Sequence, residues 1–276
     1  MKKITFVLLS IVIVTIVLSC EKKETLNELL GKTTMLTTSQ LEKLLALGVN
    51  VDNVTLENLR LFDGTLEKNL VLGDITIPVA KIDEYVTLKT SENNKQQLEV
   101  SNIVAPEYRN IKIVGYSGEG FALTSKMRTA LSWAVSNYNN LSTTLNFSLT
   151  YGTDTDTADI IVYKVEGEAG GSAGFPSING KPYKYVRINS DTDNLTINMN
   201  EHIITHEIGH CIGLRHKDWM NPCGKGLISD VEFKLIQDKS AFLFEDSIMQ
   251  SCFSSTSDGE FTDADKNLIT FLYQKK

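Results

Sequence analysis

The sequence predicts an α/β fold, α+β in the detail of its edge: a mostly parallel sheet with helices, preceded by a small N-terminal region. Three observations lead there. From residue 105 onward, apolar runs of strand length alternate with stretches of helical periodicity, the pattern of an α/β layer. A polar stretch running into Pro106 separates that half from what precedes it. The chain has 276 residues, 42% of them hydrophobic and 22% charged, which suits one or two globular domains with a real core.

The first segment stands apart. Met1-Lys2-Lys3 is basic, and Ile4 to Leu18 is an unbroken apolar run. That run is shorter than the roughly 20 residues a membrane-spanning helix needs, and it suits a secretory signal. It ends at Ser19-Cys20 and resembles a bacterial lipoprotein signal, which would make Cys20 the lipid-bearing first residue; a plain signal peptide or an uncleaved anchor are the alternatives. The chain is thus expected to divide into a signal over 1–19, a charged tether and N-terminal, pro-like region over 20–104, and a main domain over 105–276.

Within the N-terminal region, SQLEKLLALG reads as a helix capped by Ser39 and ended by Gly48, and Lys68 to Val79 as strand, turn and strand. In the main domain, Asn110 to Tyr116 is a strand. Met127, Ala130, Leu131, Ala134, Val135 and Tyr138 then recur at helical spacing. TLNFSLTY and ADIIVYKV are two further strands. A Gly-rich segment, the strand YKYVRINS and a helix opened by Asn198, with Glu201 as its capping-box partner, complete the order.

That last helix carries the chemistry. His206, Glu207, His210, Gly213 and His216 spell H-E-x-x-H-x-x-G-x-x-H. Histidines four apart on a helix share one face. Gly213 can take the left-handed conformation that ends the helix and returns the chain, so that His216 supplies a third nitrogen. Three histidines with one position left for water form the ligand set of a catalytic zinc rather than a closed structural one. Glu207, beside the first histidine, is placed to take a proton from that water.

Followed by Met249 in DSIMQSC, the motif resembles that of the metzincin metalloendopeptidases. HEIGHCIGLRH, Cys223-Gly224 and the closing FTDADKNLITFLY are most similar to the dual-action HEIGH metallopeptidases. The resemblance implies a metzincin-like domain with an active-site helix, a Met-turn at Met249 beneath the zinc and a C-terminal helix. It implies an antiparallel edge strand at Gly171, Ser172, Ala173 and Gly174 that pairs with an extended peptide substrate. Some metzincins add a tyrosine ligand two residues after the methionine; here that position is Ser251. VLGD, with Asp74, faintly resembles the aspartate switch of astacin-type propeptides, although a Gly-Asp pair also makes a simple turn.

The remaining expectations concern surroundings. In an oxidising compartment Cys223 and Cys252, which flank the site, would pair, leaving Cys211 as a small buried hydrophobe. Thr153 to Asp159 could offer carboxylates to calcium or form a plain solvated turn. A net charge of −7 argues against a nucleic-acid partner. The sequence as a whole reads as an exported zinc endopeptidase, with protein or peptide substrates and Glu207 as general base. It would be monomeric and anchored by lipid in the cell envelope or at the cell surface. A surface lipoprotein whose zinc serves binding or adhesion is the alternative.

Overall fold

The computed structural model describes residues 36–85 apart from 48 and 52, the pairs 89–90 and 96–97, and residues 102–218 and 247–275. The signal, Cys20 and Cys223 lie outside the described residues. Among those described, no helix is long and apolar enough to cross a membrane.

The N-terminal region begins with helix α1 (Thr38–Ala46). Its cap is Thr37, whose side chain exchanges hydrogen bonds with Gln40, and not Ser39. Strands β1 (Thr55–Arg60), β2 (Leu66–Leu72) and β3 (Ile75–Pro78) follow as an antiparallel meander. β1 was not anticipated: TLENLR holds only two apolar side chains and none of its residues is buried. Two-residue strands β4 (Lys89–Thr90) and β5 (Gln96–Gln97) form a separate ladder.

The main sheet contains β6 (Asn110–Tyr116), β7 (Asn146–Gly152), β8 (Ile160–Val165), β9 (Gly171–Ser172) and β10 (Tyr185–Asn189), in the order β7-β6-β8-β10-β9. Every pairing is parallel except that of β9, which runs antiparallel to β10 at the edge. Central β8 is apolar on both faces, as a strand covered on both sides must be. Ile160 and Val162 enter the main core, whereas Ile161 and Tyr163 enter a smaller cluster on the other face. Phe62, from the β1–β2 turn, packs into that second cluster, 5.0 Å from Tyr116 between ring centroids.

Helix α2 (Ser125–Asn139) buries the six residues its periodicity picks out, and Tyr138 donates to the Thr205 carbonyl at 2.8 Å. Helix α3 (Ile197–Cys211) carries the motif, and α4 (Asp263–Leu272) closes the fold. Thr196, not Asn198, caps α3: its side chain accepts from the Met199 amide at 3.2 Å, which leaves Asn198 inside the first turn. One continuous core includes Leu41, Leu44, Ile75 and Ile77 together with Ile111, Leu131, Ile204 and Ile208. Each such side chain contributes about 1.5–3 kcal/mol of burial. The N-terminal region is therefore seated on the main domain's core.

Candidate metal centre

Three backbone features bring the histidines together. The helical spacing stacks His206 and His210 on one face of α3, with ring centroids 4.6 Å apart. Gly213 then turns the chain at φ +100°, and a Cβ there would meet the Asn102 carbonyl at 2.1 Å. Only glycine fits that reversal, which carries His216 back over the helix end. The Nε2 atoms of the three rings lie 2.9, 3.1 and 3.2 Å from one another.

These distances call for a cation. His206 Nδ1 donates to the Ile248 carbonyl at 2.7 Å, and His210 Nδ1 donates to the Leu214 carbonyl at 2.9 Å. In the neutral rings each Nε2 is then a lone pair aimed at the other. Burial, reinforced by His206 and His216, holds the His210 ring well below the usual histidine range, and so neutral. A tetrahedral ion with zinc–nitrogen bonds of 2.0–2.1 Å would set its nitrogens about 3.3 Å apart. The donor set fits zinc.

A fourth donor comes from the N-terminal region. Asp74 Oδ2 lies 3.2 Å from His206 Nε2 and 3.0 Å from His216 Nε2. Among the described residues, these four side chains are the one group of three or more acidic, His or Cys side chains poised for a metal. Burial alone would raise the Asp74 carboxyl, but hydrogen bonds from His206 and His216 and positive charge at those rings outweigh that and hold it well below the usual carboxylate range, so the pairing needs a proton or a cation at these nitrogens. Asp154, Asp156 and Asp159 form no such group: Asp154 and Asp159 instead accept from the backbone amides of Asp156 and Lys112.

Asp74 is placed by the sheet edge. Ala173 donates its amide to the Asp74 carbonyl at 3.0 Å and accepts from the Thr76 amide at 2.7 Å, a parallel bridge. The edge expected over Gly171–Gly174 forms β9 at Gly171–Ser172 and is met at Ala173 by the chain's own residues 74–76. Glycine is required at two points along it. A Cβ on Gly171 would meet Glu207 Cγ at 2.8 Å, and one on Gly174 would meet the Thr76 carbonyl at 2.6 Å.

Glu207 is buried, and its Oε2 has no hydrogen-bond partner. Burial first, and the Asp74 carboxylate second, push its carboxyl well above the usual range, against the pull of Arg187. Beneath the histidines, Met249 is 2% exposed, and its sulfur would meet a Cβ on Gly209 at 2.7 Å. Asp265 of α4 supports this turn by accepting from the Ser247 hydroxyl and, at 3.1 Å, from the Ile248 amide. Ser251 is turned to Asp218, which accepts from its amide and hydroxyl at 2.8 Å each. Cys211 is a free, buried thiol, and Cys252 is disulfide-bonded.

Sequence reasoning missed Arg187, Thr76 and the role of Asp265. A lone arginine in the apolar strand YVRIN was a signal for the first. Asp265 caps α4 through Thr262 while also holding the turn. Thr76 gave no signal.

Clustered imidazoles with a buried glutamate beside them, on an α/β scaffold, define a metal-dependent hydrolase. Residues 70–273 match the family described as dual-action HEIGH metallo-peptidases, and the chain belongs to that family. The match begins within β2, so it takes in Asp74 as well as the motif. Two solved structures of myroilysin are similar to the chain at 16% identity, with TM-scores of 0.41 and 0.40. They cover 61% of this chain, and 82% and 85% of theirs. No curated protein matches it in sequence.

Proposed function

We propose that the protein is an exported zinc endopeptidase of metzincin type, held latent by its own N-terminal region. The observation that carries this reading is the Asp74 carboxylate lying against the imidazoles of His206, His210 and His216, with unpaired Glu207 Oε2 nearby. A zinc ion at the three histidines supplies Lewis-acid polarisation of the scissile carbonyl and acidifies water. Glu207 takes a proton at its carboxylate from the attacking water and delivers it to the leaving amine. It can do so only when ionised. Departure of Asp74 removes the neighbouring negative charge that now disfavours that state. The edge at Gly171–Gly174, released at the same moment, pairs with the substrate backbone. Met249 floors the site, and the tether at Cys20 anchors the enzyme by lipid in the cell envelope, Cys223 and Cys252 forming its disulfide. The chain acts as a monomer on protein or peptide substrates.

One observation favours the non-catalytic alternative: three histidines plus Asp74 make a closed set of four, as in a structural site. A structural site has no use for a buried glutamate beside it, and metal analysis with peptide cleavage separates the two. The peptidase reading expects one zinc per chain and internal cleavage of casein peptides that chelation and Glu207→Ala both abolish. One zinc with no cleavage, even after Asp74→Ala, would favour the binding lipoprotein. Point substitution is preferred to truncation at residue 105, which would strip Ile75 and Ile77 from the shared core.

A further inference from the structure

Arg187 is an unexpected side chain near the sheet edge, in register with Tyr163 on one side and Ser172 on the other. It stands on β10, 3% exposed, and its side chain is hydrogen-bonded to neutral hydroxyls. Nε donates to Ser172 Oγ at 3.0 Å and Nη2 to Thr76 Oγ1 at 2.6 Å. None of the ion pairs among the described residues includes it. Glu207 is near enough to feel its charge, but no carboxylate is hydrogen-bonded to it among the described residues; such a buried guanidinium is costly, and its planar fork is shaped to receive a carboxylate.

Thr76 occupies the place where such a carboxylate would sit. It is 1% exposed. Its hydroxyl accepts from Arg187, donates to the Ala173 carbonyl at 3.1 Å, and lies 3.3 Å from the Tyr183 hydroxyl. Successive residues on a strand point to opposite faces. Ile75 enters the shared core, and Thr76 therefore turns the other way, into the pocket beside Arg187. A peptide added to this edge in the register of residues 75 and 76 would place a side chain in the same pocket.

We infer that Arg187 and Tyr183 form an acid-selective subsite, which receives an aspartate or glutamate side chain of the peptide substrate and which Thr76 fills in the state described here. The inference rests on the peptidase reading above. Aspartate, closest to threonine in size, fits best between Arg187 and the tight wall at Gly174. The neutral occupant explains how the N-terminal segment can leave. Thr76 satisfies a hydrogen bond of Arg187 without pairing its charge, so an acidic substrate competes for the pocket on favourable terms.

Two experiments on the full chain test this. The first is a melting comparison of Thr76→Asp with Thr76→Asn at saturating zinc, alone and combined with Arg187→Gln. The aspartate variant is expected to melt about 3–6 °C above the asparagine variant when Arg187 is present, and below it when Arg187 is replaced. If Arg187→Gln does not fold, Arg187→Lys substitutes for it, with a reduced gain expected. An aspartate that melts no higher than asparagine beside Arg187, or an equal difference in both backgrounds, would overturn the inference. The second is digestion of a mixed peptide library by the Asp74→Ala chain. Aspartate and glutamate should exceed asparagine and glutamine about tenfold at one position within two residues of the cut, and Arg187→Gln should erase that preference. Cleavage with a flat profile would also overturn the subsite. Absence of any cleavage would count against the peptidase reading, while the melting comparison still decides whether Arg187 takes a carboxylate.

Discussion

Two parts of the cleft meet at the three histidines, and they are held in opposite ways. On one side stands α3, thirteen of whose fifteen residues are buried. The His206 ring is pinned by the Ile248 carbonyl and the His210 ring by that of Leu214, and Asp265 in turn fixes the Ile248 amide. On the other side, residues 74–76 are attached by two backbone hydrogen bonds, the Asp74 carboxylate and the Thr76 hydroxyl. The first arrangement is over-determined, so that losing one contact leaves several. The second has few polar attachments, two of them side chains that a single substitution removes, although Ile75 between them is seated in the shared core. The latency proposed above requires the second side to detach while the first stays in place.

Substitutions on the permanent side should damage the site itself. Glu207→Gln is expected to cut peptide cleavage by about 10³-fold while leaving zinc content at one per chain; a loss of zinc with the activity would contradict a purely chemical role. Asp265→Ala frees the Ser247 hydroxyl and the Ile248 amide, and so loosens the carbonyl that orients His206. Zinc affinity should fall about 10–100-fold in a competition titration, and an unchanged affinity would mean that the turn needs no support from α4.

Smaller effects follow from protonation. Burial and the nearby Glu260 raise the Glu201 carboxyl to about 7. A carboxyl that holds its proton more tightly when folded costs stability as pH rises from about 4.5 to 7, and the full cost persists above that. Glu201→Gln should therefore raise Tm by a few degrees at pH 8 and have almost no effect at pH 4. On the detachable side, the Asp74 carboxyl lies below its usual range, so its contribution is present above about pH 4 and is lost only as pH falls further. Acidification from pH 8 to 5 should not release activity. Activation at pH 5–6 would show that the carboxylate is held less firmly than its contacts imply.

The same contrast governs what could be read from the sequence. The permanent side is local in the chain. Helical spacing sets the buried face of α2 from Met127 to Tyr138, and the spacing of His206, His210 and Gly213 specifies a shared helix face followed by a chain reversal. The detachable side depends on partners far apart in sequence. Thr76 meets Arg187 across 111 positions, and Asp74 meets His206 across 132. Nothing in ITIP marks it as a strand that will add to another sheet's edge. VLGD offered only a likeness, and its placement comes from the pairing with Ala173. The shared core was hidden for the same reason: Leu41 and Leu44 look like one face of a small independent helix until the surface beneath them is known. The helix starts were displaced by two residues because threonine, serine and asparagine can all cap, and the choice between neighbours depends on where the preceding chain arrives.

The most direct test of latency by Asp74 is a side-by-side cleavage assay of the unaltered full chain and Asp74→Ala at matched zinc content. A cover held by this carboxylate predicts that the variant cleaves casein peptides at least about tenfold faster, with the gain erased by adding Glu207→Gln. Equal rates, or a slower variant with its zinc intact, would contradict the account and make Asp74 a structural contact.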